Sequence, residues 1–182
     1  MIASACNSNG DDTETPVLSS PPQTTFPMPP VNVTADMGWI TGDHKRARVG
    51  DYAGQVLVLD FYATWCAPCR ESIPELKSLQ REFEKDGLVV IGLNVGGAED
   101  RVKVPAFAQE LGITYSLGFP DKAITDLFFS DDQTIPQTFV FDRHGRLVKR
   151  IIGYDAGKSS EFKETLESAL GRTKQQTANG GN

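Results

Sequence analysis

The sequence predicts an α/β fold: a mixed central sheet with helices on both faces. Three observations carry this. Apolar runs of strand length at 56–62 and 88–94 are separated by a helical stretch, so the two strands need a crossover and pair in parallel. Two more helical stretches, 100–111 and 121–129, alternate with short apolar segments. Finally, 138–141 and 147–152 alternate in polarity and are joined by Asp142-Arg143-His144-Gly145-Arg146, a hairpin that adds an antiparallel portion.

The elements follow in order. Segments 37–40 and 46–49 form an N-terminal β-hairpin with Gly42-Asp43 near its turn. The run 56–62 is apolar enough to lie centrally. Residues 66–86 form a helix that stops at Gly87, with Pro74 inside it as a kink. Strand 88–94 comes next. Helix 100–111 is stopped by Gly112, and Pro105 either lies in its first turn or kinks it. A short strand spans 114–117, Asp121 caps a helix reaching 129, and Ser159 or Ser160 opens a last helix to 170. Residues 1–30 hold Pro16, Pro21, Pro22, Pro27, Pro29 and Pro30 among Ser, Thr and Asn, the composition of a disordered tether. The folded domain is predicted to span 31–171, with a polar, disordered tail over 172–182.

At 182 residues the chain suits one domain with tails. A net charge of −6 argues against a nucleic-acid surface, and no apolar stretch reaches the length of a membrane span. Of three cysteines, Cys6 stands apart, behind small residues and ahead of a polar stretch. This is the pattern of a lipidated first residue in a bacterial lipoprotein. Ala3 stands where that pattern usually has a larger aliphatic residue, and an incidental cysteine in a tail is the alternative.

The chemistry concentrates in Cys66-Ala67-Pro68-Cys69, preceded by Trp65. Two cysteines so spaced can ligate a metal, form a structural disulfide or act in redox chemistry. Zinc needs about four ligands, and Cys6, His44 and His144 form no second cluster. A disulfide closing a two-residue loop constrains the chain very little. Position favours redox chemistry: Cys66 falls where a strand ends and a helix begins, and unpaired N–H groups there favour a thiolate. Cys66 is therefore the candidate nucleophile, and Cys69, one turn inside, the resolving thiol. Pro68 suits the first turn, where no N–H is required. Trp65 is an apolar shield or a core aromatic. Asp60, six residues before Cys66 in an apolar strand, has a raised pKa if buried and is a candidate proton acceptor for Cys69. Ile135-Pro136, just before a strand, is a candidate cis bond.

The segment Leu59-Asp60-Phe61-Tyr62-Ala63-Thr64-Trp65-Cys66-Ala67-Pro68-Cys69 resembles the active-site segment of the thioredoxin superfamily, and Pro74, Ile135-Pro136 and Gly153 match further elements of it in order. Within the superfamily the chain is similar to the TlpA/ResA-type branch, which implies an inserted βα unit between Leu88 and Phe119. The resemblance also implies a thiol–disulfide oxidoreductase without a cofactor, periplasm-facing in the bacterial envelope and held by the lipid anchor where Cys6 is lipidated. Its expected partners are cysteine-containing envelope proteins, apocytochrome c among them, and a membrane electron donor; the chain is expected to be a monomer that binds no nucleic acid. Two departures point to a broader reductase than a dedicated cytochrome c one. Ser72 stands where the ResA type carries Glu, and Asp60 stands where the branch often has Asn.

Two other functions compete. A thiol peroxidase of the peroxiredoxin kind places Thr three residues before its reactive cysteine; here that residue is Ala63. A copper chaperone of the Sco type separates its cysteines by three residues and adds a distant His; here two residues intervene, and His144 falls in a predicted turn.

Overall fold

The computed structural model describes residues 35–172. Cys6, the tether 1–30 and all but the first residue of the tail 172–182 lie outside the described residues. Seven strands form one mixed sheet: β1 (Gly38–Thr41), β2 (Arg46–Arg48), β3 (Val56–Tyr62), β4 (Leu88–Asn94), β5 (Ser116–Pro120), β6 (Gln137–Phe141) and β7 (Leu147–Ile152). Their spatial order is β2-β1-β5-β4-β3-β6-β7. The central β3, β4 and β5 run parallel, and the hairpins β1–β2 and β6–β7 join antiparallel at either side.

Every residue of β3 is buried, as its unbroken apolar run requires. Its alternation divides the core. Leu57, Leu59 and Phe61 pack with Phe139, Phe141, Ile124 and Phe128 on the face covered by α4 (Lys122–Phe128). Val56 and Val58 pack on the other face against Leu76, Leu79 and Phe83 of α1 (Ala67–Phe83) and Phe162 and Leu166 of α5 (Ser159–Ala169). A period of two places Asp60 and Tyr62 on this second face, beneath α1.

Most predicted elements are present within a residue or two. The first helix ends in a 3-10 turn, Glu84–Asp86, closed by Gly87 at φ 90°, and Pro74 lies inside α1. Two segments differ from expectation. The helix predicted over 100–111 is two: α2 (Ala98–Arg101) and α3 (Val104–Leu111). Pro105 sits in the first turn of α3, where its missing N–H costs nothing, so the chain restarts rather than bends. The strand predicted over 114–117 is displaced to Ser116–Pro120. Position 118 needs a glycine in this strand: a Cβ on Gly118 would lie 2.7 Å from Trp39 Cδ1 and 2.8 Å from the Ile40 carbonyl.

Candidate active site

Strand β3 leads directly into the cysteine motif. Cys66 is the N-cap of α1, with extended backbone angles (φ −80°, ψ 107°), and its Sγ accepts a hydrogen bond from the Cys69 N–H at 3.2 Å. Ala67 opens the helix, and Pro68 falls in the turn that lacks N–H partners. Cys66 and Cys69 are joined in a disulfide, with their Cα atoms 5.3 Å apart. The first sulfur therefore sits where the helix dipole and free amides stabilise negative charge once the bond is reduced.

The loop before β6 closes over this motif. Ile135-Pro136 is cis, and the Ile135 carbonyl oxygen lies 3.7 Å from Cys66 Sγ. Trp65 is 67% exposed, so it is neither a core aromatic nor a covered one. Cys66 is only 4% exposed and Cys69 fully buried, a smaller difference than a solvent-facing first cysteine would give. The Ile135 carbonyl and the tight helix cap account for the cover on Cys66.

Asp60 is wholly buried beneath α1. Its Oδ1 accepts from Thr138 Oγ1 at 2.9 Å, and its Oδ2 has no partner. Burial pushes its carboxyl up to about 7, the Thr138 hydrogen bond opposing. Gly92 faces Asp60 across β3–β4. A Cβ there would meet Leu117 at 2.6 Å and Tyr115 and Tyr62 at 3.2 Å, so the glycine lets the two tyrosines close over this face. Both phenols are raised by burial first and by Asp60 next. A small cavity of about 80 Å³ touches Thr138, the donor to Asp60, together with Ser72, Glu75, Pro136 and Tyr154. Ser72, at the position of the ResA-type Glu, donates to the Cys69 carbonyl at 2.9 Å.

One network was not legible in the sequence. Asp100, buried on α2, accepts from the Thr64 backbone N–H at 2.9 Å, from the Thr64 hydroxyl and from Asn94 Nδ2 at 2.8 Å. Burial opposes its charge, but the hydrogen bonds from Asn94 and Thr64 outweigh it and hold the carboxyl below the usual range. A Cβ on Gly96 would lie 2.2 Å from Asp100 Oδ2, so glycine makes room for the carboxylate. This anchors the residue two before Cys66. The signal for it lay in Gly96-Gly97 ahead of two acids, which reads equally well as a surface turn. His144 lies in the β6–β7 turn, as predicted, and its N–H donates to Asp142. Among the described residues no group of three or more His, Cys, Asp or Glu is placed to hold a metal ion.

The chain is similar to known proteins over about two thirds to three quarters of its length. The thiol-disulfide oxidoreductase ResA of Geobacillus thermodenitrificans is 31% identical over 124 residues, covering 68% of this chain and 68% of that one. The thioredoxin-like protein YneN of Bacillus subtilis is also 31% identical over 124 residues, covering 68% and 71%. The crystal structure of a thiol:disulfide interchange protein of the thioredoxin family from Chlorobium tepidum superposes with a TM-score of 0.62 at 24% identity, over 75% of this chain and 95% of that one. At that identity the likeness concerns the fold. Residues 27–150 match the AhpC/TSA family. With its redox disulfide at the tip of α1 on a thioredoxin-like sheet, the chain belongs to the AhpC/TSA family.

Proposed function

We propose that this protein is a thiol–disulfide oxidoreductase that reduces disulfides of cysteine-containing proteins in the bacterial envelope through the Cys66–Cys69 couple. The observation that carries the proposal is the Cys66–Cys69 disulfide at the tip of α1, with the cis Ile135-Pro136 loop over it and an acid near neutrality below. The names of the ResA and YneN relatives support the same chemistry.

In the reduced protein the Cys66 thiolate attacks one sulfur of the substrate disulfide. That bond breaks, a mixed disulfide forms, and the other substrate sulfur leaves as a thiolate that takes up a proton. Cys69 then gives its proton to Asp60 and attacks Cys66 Sγ. The mixed disulfide breaks, the second substrate sulfur leaves as a thiolate, and the Cys66–Cys69 bond closes. Two electrons pass to the substrate. A dithiol donor, proposed to be a membrane protein in the cell, restores the reduced pair. Asp60, poised at about 7, both accepts and returns a proton near neutral pH. Trp65, Ala67 and Pro68 shape the motif, and Ile135-Pro136 presents backbone to the bound segment. Cys6 as a lipid anchor, with 1–30 as the tether and the head working as a monomer, completes the proposal and rests on the sequence pattern alone.

A peroxidase is disfavoured at Ala63, which offers a buried methyl where a hydroxyl is needed, while the Thr64 hydroxyl is engaged by Asp100. The test is insulin reduction with dithiothreitol. The wild type is expected to catalyse it, Cys66→Ser to abolish it, and Cys69→Ser to accumulate a mixed disulfide. Peroxide consumption without insulin reduction would overturn the proposal.

A further inference from the structure

A groove of about 610 Å³ opens beside the loop that carries Cys66 and shares no lining residue with the cavity at Thr138. Trp65 and Ile135 form its wall next to Cys66, and Val95, Pro120 and Phe129 extend it as an apolar floor. Only one charged side chain lines it, Arg101. The guanidinium stacks 4.2 Å from the centroid of Phe119 and, among the described residues, makes no ion pair. Glu99 and Lys103 flank Arg101 at exposed positions but do not line the groove.

Arg101 is also held in place. Its neighbour Asp100 is bonded to Thr64, so the backbone of α2 is tied to the loop leading to Cys66. The cation is thereby carried on backbone joined to the loop that holds the sulfur, and the Phe119 ring supports it. A stacked guanidinium keeps its edge free to form paired hydrogen bonds with a carboxylate. In a chain of net charge −6, this spot attracts what the rest of the surface repels.

We infer that Arg101 is a specificity-determining residue that favours substrate segments carrying an Asp or Glu beside the target cysteine, with the flanking apolar residues lying along Trp65 and Phe129. This inference rests on the reductase function and refines it by naming the substrate class.

The test uses the reduced full-length protein and three synthetic peptides. Each has one intramolecular disulfide and differs only in the residue beside the attacked cysteine: Asp, Ala or Lys. The quantity read is the ratio of kcat/KM for the Asp peptide to that for the Lys peptide. In the wild type the ratio is expected to be about fivefold at low ionic strength, the size of a partly exposed charge pair, and to shrink as salt is added. Arg101→Lys should retain a preference of the same sign, Arg101→Ala should bring the ratio to about one, and Arg101→Glu should invert it. A wild-type ratio near one with all peptides turned over overturns the role of Arg101 alone. The same holds for a preference that survives in Arg101→Ala. Failure to reduce any peptide overturns the reductase function with it.

Discussion

Thr138 donates a hydrogen bond to Asp60 across the β3–β6 pairing at 2.9 Å, and the second carboxylate oxygen has no partner. The carboxyl is thus held by one neutral donor in a fully buried site. That keeps it protonated up to about pH 7 and leaves it able to exchange a proton where thiol chemistry runs.

Replacing Asp60 by Asn should leave the fold intact and slow disulfide exchange near neutral pH. The stability effect has a definite sign. The folded-state value, about 7, lies above the unfolded value of 3.8, so the wild type carries no ionisation penalty below pH 3.8. The penalty grows as the pH rises to about 7 and is constant beyond, reaching on the order of 4 kcal/mol. Chemical denaturation should therefore find Asp60→Asn more stable than the wild type at pH 8 and equal to it at pH 3.5. Equal stabilities at both would place Asp60 in contact with water.

Thr138→Val removes the one interaction that lowers the Asp60 carboxyl. The carboxyl should titrate above about 7 in this variant, and the pH profile of insulin reduction should move in the alkaline direction. Carboxyl-carbon NMR of both proteins measures the shift directly, and an unmoved resonance would separate Thr138 from Asp60 functionally.

Cys66 should alkylate faster than Cys69 in the reduced protein. The two differ little in exposure, so the expected cause is the helix tip and the Cys69 N–H aimed at Cys66 Sγ. Mass spectrometry after limiting iodoacetamide reads the order, and faster labelling of Cys69 would reverse the two roles.

Removing the Asp100 carboxylate leaves the Thr64 N–H, the Thr64 hydroxyl and Asn94 Nδ2 without their acceptor. Asp100→Ala should cost about 2–4 kcal/mol by denaturant titration. Asp100→Asn should cost much less, because its amide oxygen still accepts from Thr64 N–H while its amide nitrogen donates to the Thr64 hydroxyl. Matching losses in both variants would mean that the charge, not the hydrogen-bond pattern, holds the loop.

Local pattern fixed much of this site in advance. The apolar run 56–62 before a Cys-x-Pro-Cys segment put Cys66 at a helix tip, and the same run made Asp60 an anomaly worth a role. Pairings between distant segments were not readable. Nothing local links Thr138 to Asp60, or Asp100 to Thr64, because each pair depends on strand register or helix placement settled by the whole core. The glycines at 92, 96 and 118 serve close packing against neighbours that local pattern does not reveal. At Pro105 the first of the two expected placements holds: it lies in a first turn, that of a helix starting at Val104.

The proposed direction of electron flow rests on the charges around the sulfurs. A dithiol becomes oxidising when its thiolate is strongly stabilised, and here, among the described residues, the helix tip acts without a cation in direct contact with Cys66 Sγ. Ala67 and Pro68 bring none. Arg70, the basic residue nearest in sequence, is ion-paired with Glu110 and stacked 5.2 Å from the centroid of Phe107. Equilibration of the Cys66–Cys69 couple against glutathione and dithiothreitol buffers tests this most directly. The predicted potential lies near the thioredoxin end of the known range, roughly −270 mV. A value at or above roughly −150 mV, close to the oxidant end, would contradict a reductant and make the protein a donor of disulfides.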